Sequence, residues 1–132
     1  MEIQRNLCIN VDFDGTVVTH DYPRVGKDIG SQPVLKKLVA KGHKLILFTM
    51  RGDDKSYLKQ AVAWFNDNDI PLYGINCNPE QKTWTCSPKS HADLIIDDTA
   101  LGCPLKIDKK LSYYPFVDWE KVEKMLIDSG AI

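Results

Sequence analysis

The sequence predicts an α/β chain in three layers, αβα, with a parallel sheet between the outer layers. Three observations predict it. Short apolar runs recur along the chain, at Leu7 to Val11, Lys44 to Phe48, Leu72 to Ile75 and Ala92 to Ile96. Stretches between and after them carry apolar residues at helical spacing, and alternating strands and helices imply parallel strands joined by crossovers. At 132 residues the chain is near the commonest domain size and can bury one core without disulfides, so 1–132 reads as a single domain. It shows no internal repeat and no low-complexity segment.

The elements follow in order. After the first strand, Thr16 to Ile29 has Gly15, Pro23, Gly26 and Gly30 in or around it and reads as a loop or short hairpin. A helix is expected from Ser31, with the Ser31 hydroxyl as its cap, Pro33 in its first turn and Gly42 as its stop. Val34, Leu35, Leu38 and Val39 would form its buried face. The strand Lys44 to Phe48 comes next. A second helix is expected from about Lys55 to Asn66, burying Leu58, Ala61, Val62 and Phe65. Leu72 to Ile75 is a short strand, and Ala92 to Ile96 another. Asp118 is expected to cap a last helix whose Val122, Met125 and Leu126 face inward before Gly130 ends it.

Charge and composition exclude some functions. A net charge of −1 argues against broad electrostatic capture of nucleic acid, though recognition of a nucleic-acid end stays open. No run is long enough to span a membrane, and Met1 to Arg5 lacks an apolar signal core, so the expected location is cytoplasmic. Cys8, Cys77, Cys86 and Cys103 include no Cys-x-x-Cys pair. Cys8 is expected to pack as a small apolar residue. Cys77, Cys86 and His91 offer zinc-ligand types at a spacing that matches no usual structural site, so reduced thiols are expected.

The chemistry concentrates where strands end. Leu7 to Val11 runs into Asp12-Phe13-Asp14-Gly15-Thr16, and strand alternation would send Asp12 and Asp14 to one side. Two carboxylates so placed repel unless a cation or a shared proton holds them. Magnesium suits hard oxygen ligands and commonly binds through one or two carboxylates plus phosphate oxygens. A second apolar run ends in Asp97-Asp98-Thr99, and a third in Thr49-Met50-Arg51; Lys89 follows a Ser-Pro step before the Asp97 strand. In open α/β sheets ligands bind at these carboxyl ends.

Asp12 to Thr16, Thr49, Lys89 and Asp97-Asp98, in that order and strand context, resemble the four motifs of the haloacid dehalogenase-like superfamily of phosphoryl-transfer enzymes. The resemblance spans Leu7 to about Cys103 and is greatest to its small, capless phosphatase-type members. It implies a Rossmann-like parallel sheet and a magnesium-dependent phosphatase acting on a phosphate monoester. Asp12 would be the nucleophile that forms an aspartyl-phosphate. Asp14 would be the general acid and base, a role that a carrier obliged to keep its acyl-phosphate would not need. The resemblance also implies magnesium bound by Asp12, the main-chain carbonyl of Asp14, and Asp97, with Asp98 close by or acting through water. Thr49 would donate to phosphate, and Lys89 would contact both phosphate and Asp12.

Each residue has a structural reading beside the functional one. Asp14-Gly15 is also turn chemistry, Asp97-Asp98 and Thr49 can cap following turns, and a lysine such as Lys89 is commonly solvated. Arg51 either contacts substrate or pairs with Asp53 or Asp54. His20, Tyr22 and Arg24 are either an exposed loop or substrate-selecting residues, and Trp84 packs its own loop. The segments from Asp14 to Thr49 and from Thr49 to Lys89 are filled by the elements above, leaving no room for a separate cap domain. The site should be open, covered by the Thr16 to Ile29 loop and Asn76 to Ser87. That suits a phosphate on a large molecule, or a small ester if oligomerisation supplies a lid. A response-regulator receiver fits poorly, because there the phosphorylated Asp ends a middle strand. A catalytically silent metal- or phosphate-binding module of the same fold is the alternative.

Overall fold

The computed structural model describes residues 5–132. Met1 to Gln4, most of the stretch read as lacking a signal core, lie outside the described residues. Four parallel strands form the central sheet: β1 (Cys8–Val11), β2 (Lys44–Leu47), β3 (Gly74–Ile75) and β4 (Leu94–Ile96), in the order β3-β2-β1-β4. Ile9 lies opposite both Leu45 and Leu94, and Val11 opposite both Leu47 and Ile96. The chain lays down β2 and β3 on one side of β1 and then crosses to its other side for β4. That reversal opens a crevice beyond the ends of β1 and β4.

The expected α/β architecture is present, with unequal outer layers. Ile9, Val11, Leu45, Leu47 and Ile96 share one face and a single core with the buried sides of α1 (Ser31–Ala40), α2 (Tyr57–Asp67) and α3 (Trp119–Asp128). The opposite face, that of Cys8 and Asn10, is covered by the segment before β4, whose helical content is one 3-10 turn, Gln81–Thr83. The Asn10 amide donates to the Ser90 carbonyl, and the Asn78 amide donates to the Cys8 sulfur and the His91 carbonyl.

Several boundaries differ from expectation for identifiable reasons. Ser31 does not cap α1: Gly30 is the N-cap residue, at φ 87°, and the Ser31 hydroxyl donates instead to the Val17 carbonyl at 2.8 Å. It ties the helix start to the preceding loop. α2 begins at Tyr57 because Lys55 and Ser56 have positive φ, and a 3-10 turn, Asp54–Ser56, precedes it. Asp118 does cap α3, accepting from the Lys121 amide. Met125 faces solvent, because the buried stripe runs through Trp119, Val122 and Leu126 and leaves Met125 on its flank. The Thr16 to Ile29 segment is a hairpin, with Val18 bridged to Asp28 and the Thr19 amide bonded to the Lys27 carbonyl.

Two features had no sequence signal. A short antiparallel pair, β5 (Leu105–Lys106) with β6 (Phe116–Val117), precedes α3. His43, nearly buried, accepts the Leu7 amide on Nδ1 at 2.9 Å and lies 2.8 Å by Nε2 from the Ala131 carbonyl. With Nδ1 an acceptor, Nε2 is the donor, so one ring clasps both ends of the described chain.

Candidate active site

Asp12 continues β1 by one step, its amide donating to the Ile96 carbonyl at 3.0 Å. That bond sets the ends of β1 and β4 side by side and places Asp12 next to Asp97 and Asp98. Beyond Asp12 the chain turns tightly, the Phe13 carbonyl accepting from the Thr16 and Val17 amides. Gly15 has φ 80°, and a Cβ there would collide with the Asp98 carboxylate. Only glycine meets both requirements. Thr16 then joins the two strand ends: its hydroxyl donates to Asp12 Oδ2 at 2.7 Å and accepts the Asp98 amide at 3.0 Å.

Asp12, Asp97 and Asp98 each bring a carboxylate oxygen within 4.8 Å of the other two. Burial first, then the Asp97 charge and the hydrogen bond with Asp98, push the Asp12 carboxyl up to about 8, against the pull of the Thr16 hydroxyl. Burial also raises Asp98, as do its hydrogen bond with Asp97 and the Asp97 charge, whereas its bonds with Asp12 and Thr16 act in the opposite direction. Asp97 Oδ1 is occupied by the Thr99 amide and hydroxyl. Three gathered carboxylates, one of them driven to keep its proton, lack positive charge. An all-oxygen anionic donor set of this kind fits a hard divalent cation. Among the described residues this is the acidic or thiol group so gathered; Cys77, Cys86 and His91 form no such cluster, and the cysteines are free.

Arg51 takes neither of its expected roles. It contacts no surface aspartate and is not free to meet substrate. Its side chain is wholly buried and all its donors are engaged. Nε and Nη2 bind the two oxygens of Asp14 at 2.9 and 2.7 Å, Nη1 donates to the Pro23 and Tyr57 carbonyls, and Nη2 also donates to the Arg24 carbonyl. The guanidinium lies 5.0 Å from the Phe13 ring centroid and 5.3 Å from that of Tyr22. One buried fork therefore aligns Asp14 and fastens the hairpin over the site. The Asp14 carboxylate consequently stands outside the Asp12, Asp97 and Asp98 cluster.

Asp12, Asp14, Thr49, Asp97 and Asp98 line one open cleft of about 430 Å³ with His20, Tyr22, Met50 and Thr99. Thr49 accepts the Arg51 amide on its hydroxyl oxygen, which leaves the hydroxyl hydrogen for another acceptor; its own amide donates to the Asn76 side chain. Lys89 is exposed and outside this lining. Its backbone is held by Ser87 and Gln81, and the neighbouring Ser90 carbonyl lies on Asn10, two residues before Asp12. Arg24 pairs with Asp21 at the surface, and Trp84 is largely exposed with its edge against His91. Sequence reading missed the bridging role of Thr16. Its signal was the placement of a hydroxyl four residues after the first carboxylate, in the same turn.

No family model matches the chain, and no curated protein matches it. A solved structure does: the conserved protein coded by locus from Bacteroides thetaiotaomicron, which is 33% identical over 94% of this chain and 92% of that one, with a TM-score of 0.74. The chain belongs to the family of that conserved protein. Among the described residues no helix is long and apolar enough to cross a membrane.

Proposed function

We propose that this family member is a magnesium-dependent phosphatase of the haloacid dehalogenase-like superfamily, working in the cytoplasm on phosphate monoesters through an aspartyl-phosphate. The observation that carries the reading is the convergence of Asp12, Asp97 and Asp98 at the ends of β1 and β4, in one cleft with Asp14 and Thr49. Asp12, Asp97 and Asp98 would hold magnesium, which when bound offsets the negative charge that otherwise keeps an anionic nucleophile from an anionic phosphate.

The chain's own groups account for the rest. An Asp12 carboxylate oxygen attacks phosphorus as the bond to the leaving oxygen breaks, and that oxygen takes a proton from Asp14. Water then attacks the phosphorus of the aspartyl-phosphate and gives a proton back to Asp14. Inorganic phosphate leaves and the Asp12 carboxylate is restored. Thr16 keeps Asp12 in line through its 2.7 Å bond. Thr49 has a hydroxyl hydrogen to donate to a phosphate oxygen, whereas Lys89, exposed and outside the cleft, would have to turn inward to bring its ammonium to the phosphate. Arg51 takes one lone pair on each Asp14 oxygen and leaves the others for proton exchange.

A catalytically silent binding module is the second reading, favoured by the same bidentate hold of Arg51 on Asp14. A magnesium-supplemented screen of phosphate esters separates the two. The phosphatase reading expects phosphate release to be all but lost in Asp12→Asn with the fold retained, because the amide keeps the shape and loses the nucleophilic charge. No release from any ester by the wild-type protein would refute it.

A further inference from the structure

The cleft is lined by rings as well as by carboxylates. His20 and Tyr22, both from the hairpin, line it beside Asp12 and Thr49. Each is backed by a second ring: His20 by Tyr114 at 5.3 Å between centroids, and Tyr22 by Tyr57 at 5.5 Å. Tyr22 is 49% exposed, so half its surface is still available to a partner. Met50, almost wholly exposed, adds a thioether to the same rim, a soft apolar group that packs well on ring edges. Side chains held by neighbours in this way offer contact area at little further entropic cost.

The charge of the cleft adds an independent constraint. Four carboxylates line it, and among the described residues no lysine or arginine does. The Arg51 guanidinium behind it has no unused donor. Ionised, the four carboxylates are only just offset by one divalent cation, an inward-turned Lys89 and Arg51 before any phosphate enters, so a second anionic group on the substrate would meet no compensating charge.

Resting on the phosphatase reading, we infer that the substrate is a phosphate monoester whose leaving group is uncharged and carries a flat ring, held between His20 and Tyr22. An aryl-bearing alcohol and a nucleoside both offer that chemistry. Stacking on a braced ring is tolerant of ring identity, because every aromatic presents a π face. Polyanionic esters, such as diphosphates, bisphosphates and phosphorylated carboxylic acids, are disfavoured by the uncompensated charge.

The test compares esters of similar leaving-group basicity in excess magnesium: 2-phenylethyl phosphate and thymidine 5′-monophosphate with rings, glycerol phosphate without one, and 3-phosphoglycerate with an extra carboxylate. The expected result is a kcat/KM about tenfold or more higher for a ring-bearing ester than for glycerol phosphate, on the scale of one stacked ring, with 3-phosphoglycerate slowest of all. The two ring-bearing arms show whether the ring sits next to the phosphate or is spaced from it by a sugar. His20→Ala and Tyr22→Leu should each pull the ratio of ring-bearing to ring-free turnover severalfold toward one. Equal turnover of ring-bearing and ring-free esters, or a ratio unmoved in both variants, would overturn the inference and leave the phosphatase reading standing. No hydrolysis of any of the four would overturn that reading and the inference with it.

Discussion

Replacing Arg51 with methionine keeps much of the side chain's length and removes the whole guanidinium. Asp14, 13% exposed beside Arg51, would then have neither oxygen paired, and the Pro23, Arg24 and Tyr57 carbonyls would lose their shared donor. Breaking a buried ion pair by removing one partner costs about 3–5 kcal/mol, much of it the penalty of the charge left behind. With about 2.1 cal/mol/K of unfolding entropy per residue, a 132-residue chain would lose roughly 11–18 °C in melting temperature. Calorimetry or circular dichroism reads this directly. A cycle with Asp14→Asn isolates the pair: once Arg51 is gone, neutralising Asp14 should cost little or even restore stability, so the double variant should lie well short of the sum of the singles. The hairpin should also be cut faster by protease between Thr19 and Lys27, since Arg51 holds the Pro23 and Arg24 carbonyls. A melting shift under about 4 °C, or strict additivity with Asp14→Asn, would refute the claim that this fork holds the site together.

Three further outcomes follow from the same geometry. In chelator, the unfolded chain releases the Asp12 proton near 3.8 while the folded chain keeps it to about 8, so stability should fall as pH rises from about 4 to about 8. Magnesium should raise the melting temperature most at the upper end of that window, and Asp97→Ala should blunt the rise; a pH-independent melting point in chelator with no magnesium response would rule out the metal site. Thr16→Val keeps the shape but leaves the Asp98 amide and Asp12 Oδ2 without the hydroxyl between them. It should raise the magnesium concentration needed for half-maximal phosphate release by about ten- to a hundredfold, the effect of losing a charge-assisted bond of about 1.5–3 kcal/mol, and an unchanged magnesium requirement would remove Thr16 from the site. His43→Phe fills the same space while leaving the buried Leu7 amide and Ala131 carbonyl unpaired. Each orphaned group costs about 1–3 kcal/mol, so a melting temperature within a degree of wild type would show that the clasp is not structural.

The parts of the fold that were legible from sequence are those set by local pattern. Leu7 to Val11 and Lys44 to Phe48 are short apolar runs, as strands buried on both faces are, and α1 and α3 have their expected spans because Pro33, Gly42, Asp118 and Gly130 act within a turn of where they stand. The misplaced details depend on distant partners. Nothing near Ser31 announces that the Val17 carbonyl will claim its hydroxyl. Two-residue strands such as β5 and β6 leave no periodicity to read, and the ring of His43 acts between residues from opposite ends of the chain.

The candidate site divides along the same line. Asp12, Thr49, Asp97 and Asp98 were legible because each ends an apolar run, and parallel strands bring their carboxyl ends together whatever the intervening sequence. The position of Arg51 was legible and its partner was not. A lone arginine followed by Gly52, Asp53 and Asp54 looks like part of a charged surface turn, and local pairing was the nearest explanation. Burial reverses that reasoning. A guanidinium with no exposed surface must satisfy every donor within the protein, and the acceptors that can do so here are one carboxylate, two hairpin carbonyls and the carbonyl of the first residue of α2. Arg51 therefore holds Asp14 and the ring-bearing hairpin together. On the proposed phosphatase reading, any change that weakens this fork should alter proton exchange at Asp14 and the proposed ring preference at His20 and Tyr22 at once, which a residue contacting substrate alone would not do.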